Sequence, residues 1–422
     1  MNDTFRKHFE EEGFDEPTLI QEKTYLLLAE GRSVLGLAPT GSGKTLAYAL
    51  PLLEKLLAGD GPQLLVIAPS QELAAQLAGV IRPWGSLLGL NTVSLIGGAN
   101  VRRQIEKLRR ERPEVVIGTP GRMLNLVDEK RLKLHNLEAV VIDEADEMLS
   151  QEETLEDCRR LVSCAPSDVQ LAFFSATQTP VLGELHRWFG VNPVVVDVRE
   201  QDRTQGHVTH FMVEVPQRKR VDALRRLANV DGFHALVFFA QNAELRDAFE
   251  KLSHAGVSVA RLSGEQRQVE RERALNGLKK RQISLVLTTD VACRGLDIAL
   301  LPAVVNFDLP RDVNTYIHRV GRTGRMGAEG TVVNLGNEHD LRKFRQLIRD
   351  EGYDVRTGFI FNRQLTVEKD VQEAPAPRKK ASGTSRKPAA SRAEDRSAPV
   401  RKHRKNRRRD QKNKGRRKVK KA

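Results

Sequence analysis

Short runs of branched apolar residues recur along the chain, separated by longer stretches of helical character. Ser33–Leu37, Leu64–Ala68, Val115–Ile117, Ala139–Ile142 and Leu171–Phe174 are nearly continuous in apolar side chains, with no alternation of polar and apolar positions. Such runs read as parallel strands buried on both faces. Each ends in a small or polar cluster: Ala38–Thr45, Pro69-Ser70-Gln71, Gly118–Gly121, Asp143–Asp146 and Ser175-Ala176-Thr177. Ligands of open α/β sheets lie outside the carboxyl ends of the strands, so these clusters are expected to converge on one face.

The pattern starts again after Arg199–Gly206, a polar stretch suited to a linker. Phe211–Val215, Ala235–Phe239, Val257–Leu262, Ser284–Leu287, Ala303–Phe307 and Thr331–Leu335 predict a second sheet of similar architecture, although the halves show no obvious sequence repeat. Past about Lys369 the composition turns to Ala, Pro, Ser, Lys and Arg, which cannot bury a core and predicts a disordered tail. The expected fold class is α/β, with two tandem parallel-sheet domains at 1–200 and 207–368 and a basic tail at 369–422. A length of 422 residues agrees with more than one core.

Charge sharpens this division. The net charge is +14, but Val371–Ala422 holds 21 Lys/Arg and four Asp/Glu, a local +17, which leaves the first 370 residues at −3 with 48 basic and 51 acidic side chains. Three cysteines, Cys158, Cys164 and Cys293, form no Cys-x-x-Cys pair, which argues for a reducing compartment without structural zinc. The N-terminus lacks the apolar core of a secretory signal and no run approaches roughly 20 apolar residues, so a soluble, cytoplasmic protein without membrane contact is expected.

Three clusters carry chemistry. Ala38-Pro39-Thr40-Gly41-Ser42-Gly43-Lys44-Thr45 lies between a strand and a helix. Its glycines let backbone N–H groups wrap phosphates, Lys44 supplies charge to the outer phosphates and the Thr45 hydroxyl can ligand Mg²⁺. A glycine-rich turn with an exposed lysine is the bland alternative. Asp143-Glu144-Ala145-Asp146 follows a strand on the same face: Asp143 suits the metal and Glu144 the attacking water, with an acidic helix cap as the alternative. In the second half, His318–Arg325 offers guanidinium groups among glycines. Arg322 and Arg325 are candidate arginine fingers, or else part of an RNA-binding cluster.

Asp143–Asp146 spell DEAD, and the surrounding motifs follow the order seen in DEAD-box ATP-dependent RNA helicases, which this chain resembles over about Gly13–Gly336. The resemblance implies two RecA-like domains, the cofactors ATP and Mg²⁺, and catalytic roles for Lys44, Asp143, Glu144, Arg322 and Arg325. It implies a nucleotide site of Phe14, Gln21, Ala38, Thr40, Gly41, Ser42, Gly43, Lys44, Thr45 and Asp297, with Gln21 reading adenine, a pairing its amide can make. Asp146, Ser175, Thr177 and His318 would couple hydrolysis to strand separation. Ser70, Gly98, Thr119, Pro120, Arg122, Gln268, Arg271 and Thr289 would face RNA; such groups mostly grip phosphates and sugars, which predicts little sequence preference.

The chain departs from the family pattern at Gln71, where Arg is usual, at Ser263, where His is common, and at Phe238–Gln241, a loose match to the fourth motif. The expected activity is RNA-stimulated ATP hydrolysis coupled to local unwinding or remodelling of structured RNA, ribosomal precursors among the compatible targets. The tail is expected to tether RNA nonspecifically. An ATP-gated RNA clamp or annealing scaffold and a DNA-directed helicase are the alternatives.

Overall fold

The computed structural model describes residues 1–97, 100–202, 204, 206–263, 266, 268–293, 301–324 and 327–367, without the side chains of residues 268, 269 and 272. Among the described residues the first sheet contains β1 (Val34–Leu37), β2 (Leu64–Ile67), β3 (Thr92–Leu95), β4 (Val115–Gly118), β5 (Ala139–Asp143), β6 (Gln170–Ser175) and β7 (Val194–Asp197). Their order is β3-β4-β2-β5-β6-β1-β7 and every pairing is parallel. β1, β2, β4, β5 and β6 are predominantly apolar on both faces because helices cover both. Val34, Leu64, Val66, Val115 and Ile117 pack towards the helices Leu19–Ala29, Lys44–Leu53 and Gln71–Leu87. Their neighbours Leu35, Leu37, Leu65 and Ile67 face Val101–Glu111, Pro120–Asp128 and Glu152–Ser163.

The strand order divides the carboxyl edge of this sheet. Three adjacent strands, β3, β4 and β2, lead into Gly97, next in sequence to Gly98, and into Thr119-Pro120 and Ser70; Gly98, Thr119, Pro120 and Ser70 are positions expected to meet RNA. The next three, β5, β6 and β1, lead into Asp143-Glu144, Ser175–Thr177 and the glycine-rich loop, the positions expected to hold nucleotide and, at Ser175 and Thr177, to couple its hydrolysis. β2 and β5 pair directly, Ile67 opposite Ile142, so the two halves share a seam.

The second sheet contains β8 (Val208–Glu214), β9 (Ala235–Phe239), β10 (Val259–Arg261), β11 (Leu285–Thr289), β12 (Ala303–Asn306), β13 (Gly330–Gly336), β14 (Val355–Phe361) and β15 (Gln364–Val367). Their order is β10-β11-β9-β12-β13-β8-β14-β15, parallel except for the final β14–β15 hairpin. Both sheets lie within one compact unit, Met1–Ala374. The apolar runs are found as strands, while β3, β7, β14 and β15 have no counterpart among them. β3, β7 and β15 are edge strands with one side open, where side chains such as Val195 of β7 are exposed, and β14 lies beside β15 and carries the exposed Arg356 and Thr357.

A buried polar chain braces the second sheet. His210 Nδ1 is hydrogen-bonded to the Tyr316 hydroxyl at 2.6 Å, and burial pushes His210 down to about 4, so its ring is neutral near pH 7. Asn334 reaches the same hydroxyl at 3.4 Å and accepts from Asn306 at 2.8 Å. Asn306 in turn accepts from Arg319 at 2.7 Å. Arg319 also grips Asp290 through two nitrogens, at 2.6 and 2.7 Å, and lies 4.8 Å from the centre of the Phe238 ring. Tyr316 and Arg319 thus anchor one side of helix Val313–Val320, which carries His318 on another.

Gly36 in β1 faces the ring of Phe174, where an added Cβ would lie 2.6 Å from the nearest carbon. Gly36→Ala is expected to lower stability by about 1–3 kcal/mol through overpacking, with partial recovery when Phe174→Leu is added. Urea unfolding of the single and double variants measures both.

Candidate active site

The glycine-rich loop joins β1 to helix Lys44–Leu53. Gly41 and Gly43 have φ of +90° and +87°, a region that disfavours side chains, and a Cβ on Gly43 would meet Gln21 at 2.5 Å. Lys44 is buried and its Nζ donates to the carbonyls of Ala38 at 3.0 Å and Pro39 at 3.1 Å, while Ser42 donates to Pro39 O at 2.8 Å. The lysine therefore spans its own loop. The fully buried Ala38, at the first glycine position of the generic pattern, donates its N–H to Ser175 O at 3.1 Å.

Asp143 ends β5, and Glu144 caps the next helix with φ +49°, an uncommon backbone state for a side-chain-bearing residue that turns its carboxylate away from the strand line. Burial, then the neighbouring Glu144 charge, pushes Asp143 up to about 6 against the pull of Lys44 and of a hydrogen bond from Tyr48. Glu144 Oε2 is buried without a hydrogen-bond partner, as expected of a group that addresses a water or ligand. The oxygen donors Thr45 and Asp143 fit magnesium, which prefers hard ligands. Glu144, Asp146 and His318 bring one atom each within 4.8 Å of one another, but Asp146 and His318 already bond each other, so that trio reads as an ion-pair cluster.

Asp146 is where the lobes meet. Its Oδ2 accepts from Thr177 Oγ1 and is 3.1 Å from His318 Nε2 of the second lobe. Ser175 holds Thr177 in place: its hydroxyl donates to Thr177 O at 2.6 Å and accepts from Thr177 N at 3.1 Å. Burial pushes the Asp146 carboxyl up, but the His318 hydrogen bond and charge, helped by Thr177 and Ser175, prevail and hold it at about 2. Burial likewise lowers His318, and the Asp146 bond and charge, then Glu144 and Glu147, raise it above its ordinary value. Further contacts cross the cleft among the described residues: Thr40 Oγ1 donates to Gly321 O at 3.4 Å, and Arg271 pairs with Glu72. A cavity of about 450 Å³ results, lined from one lobe by Thr40, Lys44, Thr45, Asp143 and Glu144 and from the other by His318 and Arg322.

The residues expected on the adenine side lie apart from this cavity. Neither Phe14 nor Gln21 lines this cavity. Phe14 packs on Phe9 with ring centres 4.9 Å apart, and the Gln21 amide is already engaged, accepting from Thr18 N at 3.0 Å and donating to Gly43 O at 3.2 Å. Gln21 thus props the phosphate loop, with one amide proton and one lone pair left over.

On the RNA half, Ser70 caps helix Gln71–Leu87 by accepting from Leu73 N at 3.1 Å, Thr119 and Pro120 open helix Pro120–Asp128, and Thr289 accepts from Ala292 N at 3.4 Å. Helix N-termini of this kind present backbone N–H groups to phosphates. Arg122 Nε is buried and unpartnered. Arg271 is turned to Glu72 and to Ala292 O at 2.7 Å, which makes it a closure contact in this structure. Gly98, Asp297, Arg325 and the side chain of Gln268 lie outside the described residues, as does the tail from residue 368. Sequence reasoning missed Glu72, Arg319 and Tyr48, whose partners lie far along the chain.

A family model described as DEAD/DEAH box helicase matches residues 18–185, and one described as helicase conserved C-terminal domain matches 219–327. The probable ATP-dependent RNA helicase YfmL of Bacillus subtilis is 37% identical over 344 residues, covering 81% of this chain and 91% of the relative. The DEAD-box ATP-dependent RNA helicase CshC of Bacillus cereus is 35% identical over 383 residues, 90% of this chain and 96% of the relative. Among solved structures, S. cerevisiae Dbp5 bound to RNA and ADP BeF3 superposes with a TM-score of 0.73 at 26% identity, covering 85% of this chain and 94% of the other. No helix among the described residues is long and apolar enough to cross a membrane.

The Asp146–His318 pair predicts a pH dependence of closure. Because the His318 value is raised, the charged pair contributes fully below the ordinary 6.5 and is lost as pH rises through the raised value; because Asp146 is depressed to about 2, its share is lost only towards that acid limit. Fluorescence energy transfer between labelled lobes, with RNA and an ATP analogue present, is expected to report weaker closure as pH rises past the His318 titration. His318→Gln flattens that dependence.

Proposed function

Since the chain belongs to the DEAD-box ATP-dependent RNA helicases, we propose that ATP and RNA jointly close its two lobes, that closure bends one strand and opens a short duplex or remodels an RNA–protein complex, and that hydrolysis reopens the clamp. One observation carries this reading: Lys44, Thr45, Asp143 and Glu144 from one lobe and His318 and Arg322 from the other line the same cavity. The relative Dbp5, bound to RNA and ADP BeF3, supports a closed state that holds both ligands.

In this mechanism the loop amides and Lys44 hold the ATP phosphates, which requires Lys44 to leave the carbonyls of Ala38 and Pro39. Thr45 and Asp143 would hold magnesium, which would supply neutralisation of phosphate charge. Glu144 orients the attacking water, and Arg322 with Arg325 stabilises charge on the transferred phosphoryl group. Asp297 and Gln21 contact the nucleoside. Ser70, Gly98, Thr119, Pro120, Arg122, Gln268, Arg271 and Thr289 address the RNA backbone, with Arg271 exchanging Glu72 for phosphate as RNA enters. The Asp146–Thr177–His318 contact reports hydrolysis to the RNA half through the paired strands β2 and β5.

We assign 1–200 and 207–368 to the two RecA-like domains and 369–422 to an RNA-tethering tail whose +17 charge complements phosphate. The unpaired cysteines favour the cytoplasm, and the tail favours large structured RNA, ribosomal precursors included.

Purified protein is expected to hydrolyse ATP with RNA and much less with matched DNA, which lacks the 2′-OH. Glu144→Gln is expected to lower the RNA-stimulated rate by about 10²–10⁴-fold with nucleotide affinity retained, and Arg322→Ala by about 10³-fold or more. Hydrolysis unaffected by RNA, or a Glu144→Gln protein with full activity, overturns the reading in favour of a static clamp or another nucleotide chemistry.

A further inference from the structure

Both oxygens of Asp143 are engaged by the protein. Oδ1 accepts from Glu144 N at 2.9 Å, and Oδ2 accepts from the Tyr48 hydroxyl at 3.0 Å. An ionised carboxylate oxygen has two acceptor sites, so each keeps one for a further partner. Tyr48 is fully buried, and its ring lies 5.2 Å from that of Phe174, which fills the space opposite Gly36. It belongs to helix Lys44–Leu53, which also carries Thr45. Packing alone would be served by phenylalanine. A buried hydroxyl is costly without a partner, and this one is directed at the carboxylate expected to take the metal.

We infer that Tyr48 is a positioning residue of the magnesium site, whose phenol O–H sets the rotation of the Asp143 carboxylate relative to the helix start that carries Thr45. The inference rests on reading Thr45 and Asp143 as the magnesium ligands. Tyr48 itself touches neither metal nor nucleotide. Without its hydroxyl, Asp143 keeps only the Glu144 N–H on one oxygen and loses the second restraint on its rotation, so metal binding must order the carboxylate at the moment it occurs.

The test compares wild type, Tyr48→Phe and Asp143→Asn as full-length chains. A fluorescent ADP analogue is titrated in EDTA and at graded Mg²⁺, and the Mg²⁺ concentration for half-maximal RNA-stimulated hydrolysis is recorded. Tyr48→Phe is expected to retain the affinity seen in EDTA within about twofold. The gain in affinity conferred by Mg²⁺ should shrink about threefold to tenfold, the worth of one hydrogen bond, and the half-maximal Mg²⁺ concentration should rise by a comparable factor. A full Mg²⁺ gain in Tyr48→Phe with a lost gain in Asp143→Asn refutes the role of Tyr48 and leaves the site reading standing. A full gain in both variants removes the site reading as well. An equal loss in EDTA and in Mg²⁺ assigns Tyr48 to packing and overturns the inference. If Tyr48→Phe does not fold, 3-fluorotyrosine placed at position 48 keeps the hydroxyl as a stronger donor. The Mg²⁺ gain must then be kept or enlarged, and a loss overturns the proposal.

Discussion

The hydrogen-bonded pair of Asp146 and His318 is the contact on which the composite site depends. Each sheet can bury its own core, but Lys44, Asp143 and Glu144 meet Arg322 only when the lobes are brought together, and this pair stands at the junction. Its strength comes from mutual stabilisation in a place with little water: each partner shifts the other towards its charged form against the penalty of burial. Thr177 completes the carboxylate's hydrogen bonding, so the strand end that follows β6 registers the same event.

Parallel strands give this contact its reach. Because the carboxyl ends of all the strands of the first sheet open on one edge, the positions proposed for nucleotide and for RNA occupy adjacent halves of a single surface. The β2–β5 seam joins a rigid ladder that leads to Ser70 on one side and Asp143 on the other. On the RNA half the groups on offer are helix N-termini and capping hydroxyls, which recognise phosphate without a large basic field. A core carrying −3 can thereby bind a polyanion without a large basic field of its own.

Two positions show how local chemistry and tertiary partners compete. The Gln21 amide serves both a capping box with Thr18 and the carbonyl of Gly43, so the residue expected to read adenine also braces the loop under the phosphates. Arg271 is held by Glu72, one residue after the uncommon Gln71, which lies against Gly97. The Glu72 carboxylate thus neutralises Arg271 across the cleft.

The sequence by itself determined the elements that depend on neighbouring residues. These are the strands apolar on both faces, the glycines at positive φ around Lys44, the acidic cluster at the end of β5 and the strongly basic composition after residue 370, together with a family membership legible in motif order. Local periodicity and turn chemistry suffice for such features because their physical cause lies within a few positions. Strands β3, β7 and β15 lie at sheet edges and β14 beside one; β3 alternates polar and apolar residues and β14 and β15 carry exposed polar ones, so a search for continuous apolar runs passes them over. Only the tertiary structure decided which groups meet: His318 on Asp146, Arg271 on Glu72, Arg319 on Asp290 and Tyr48 on Asp143. Those pairings join residues from 29 to 199 positions apart, and no local pattern encodes a partner at such separation; packing of the two sheets selects it.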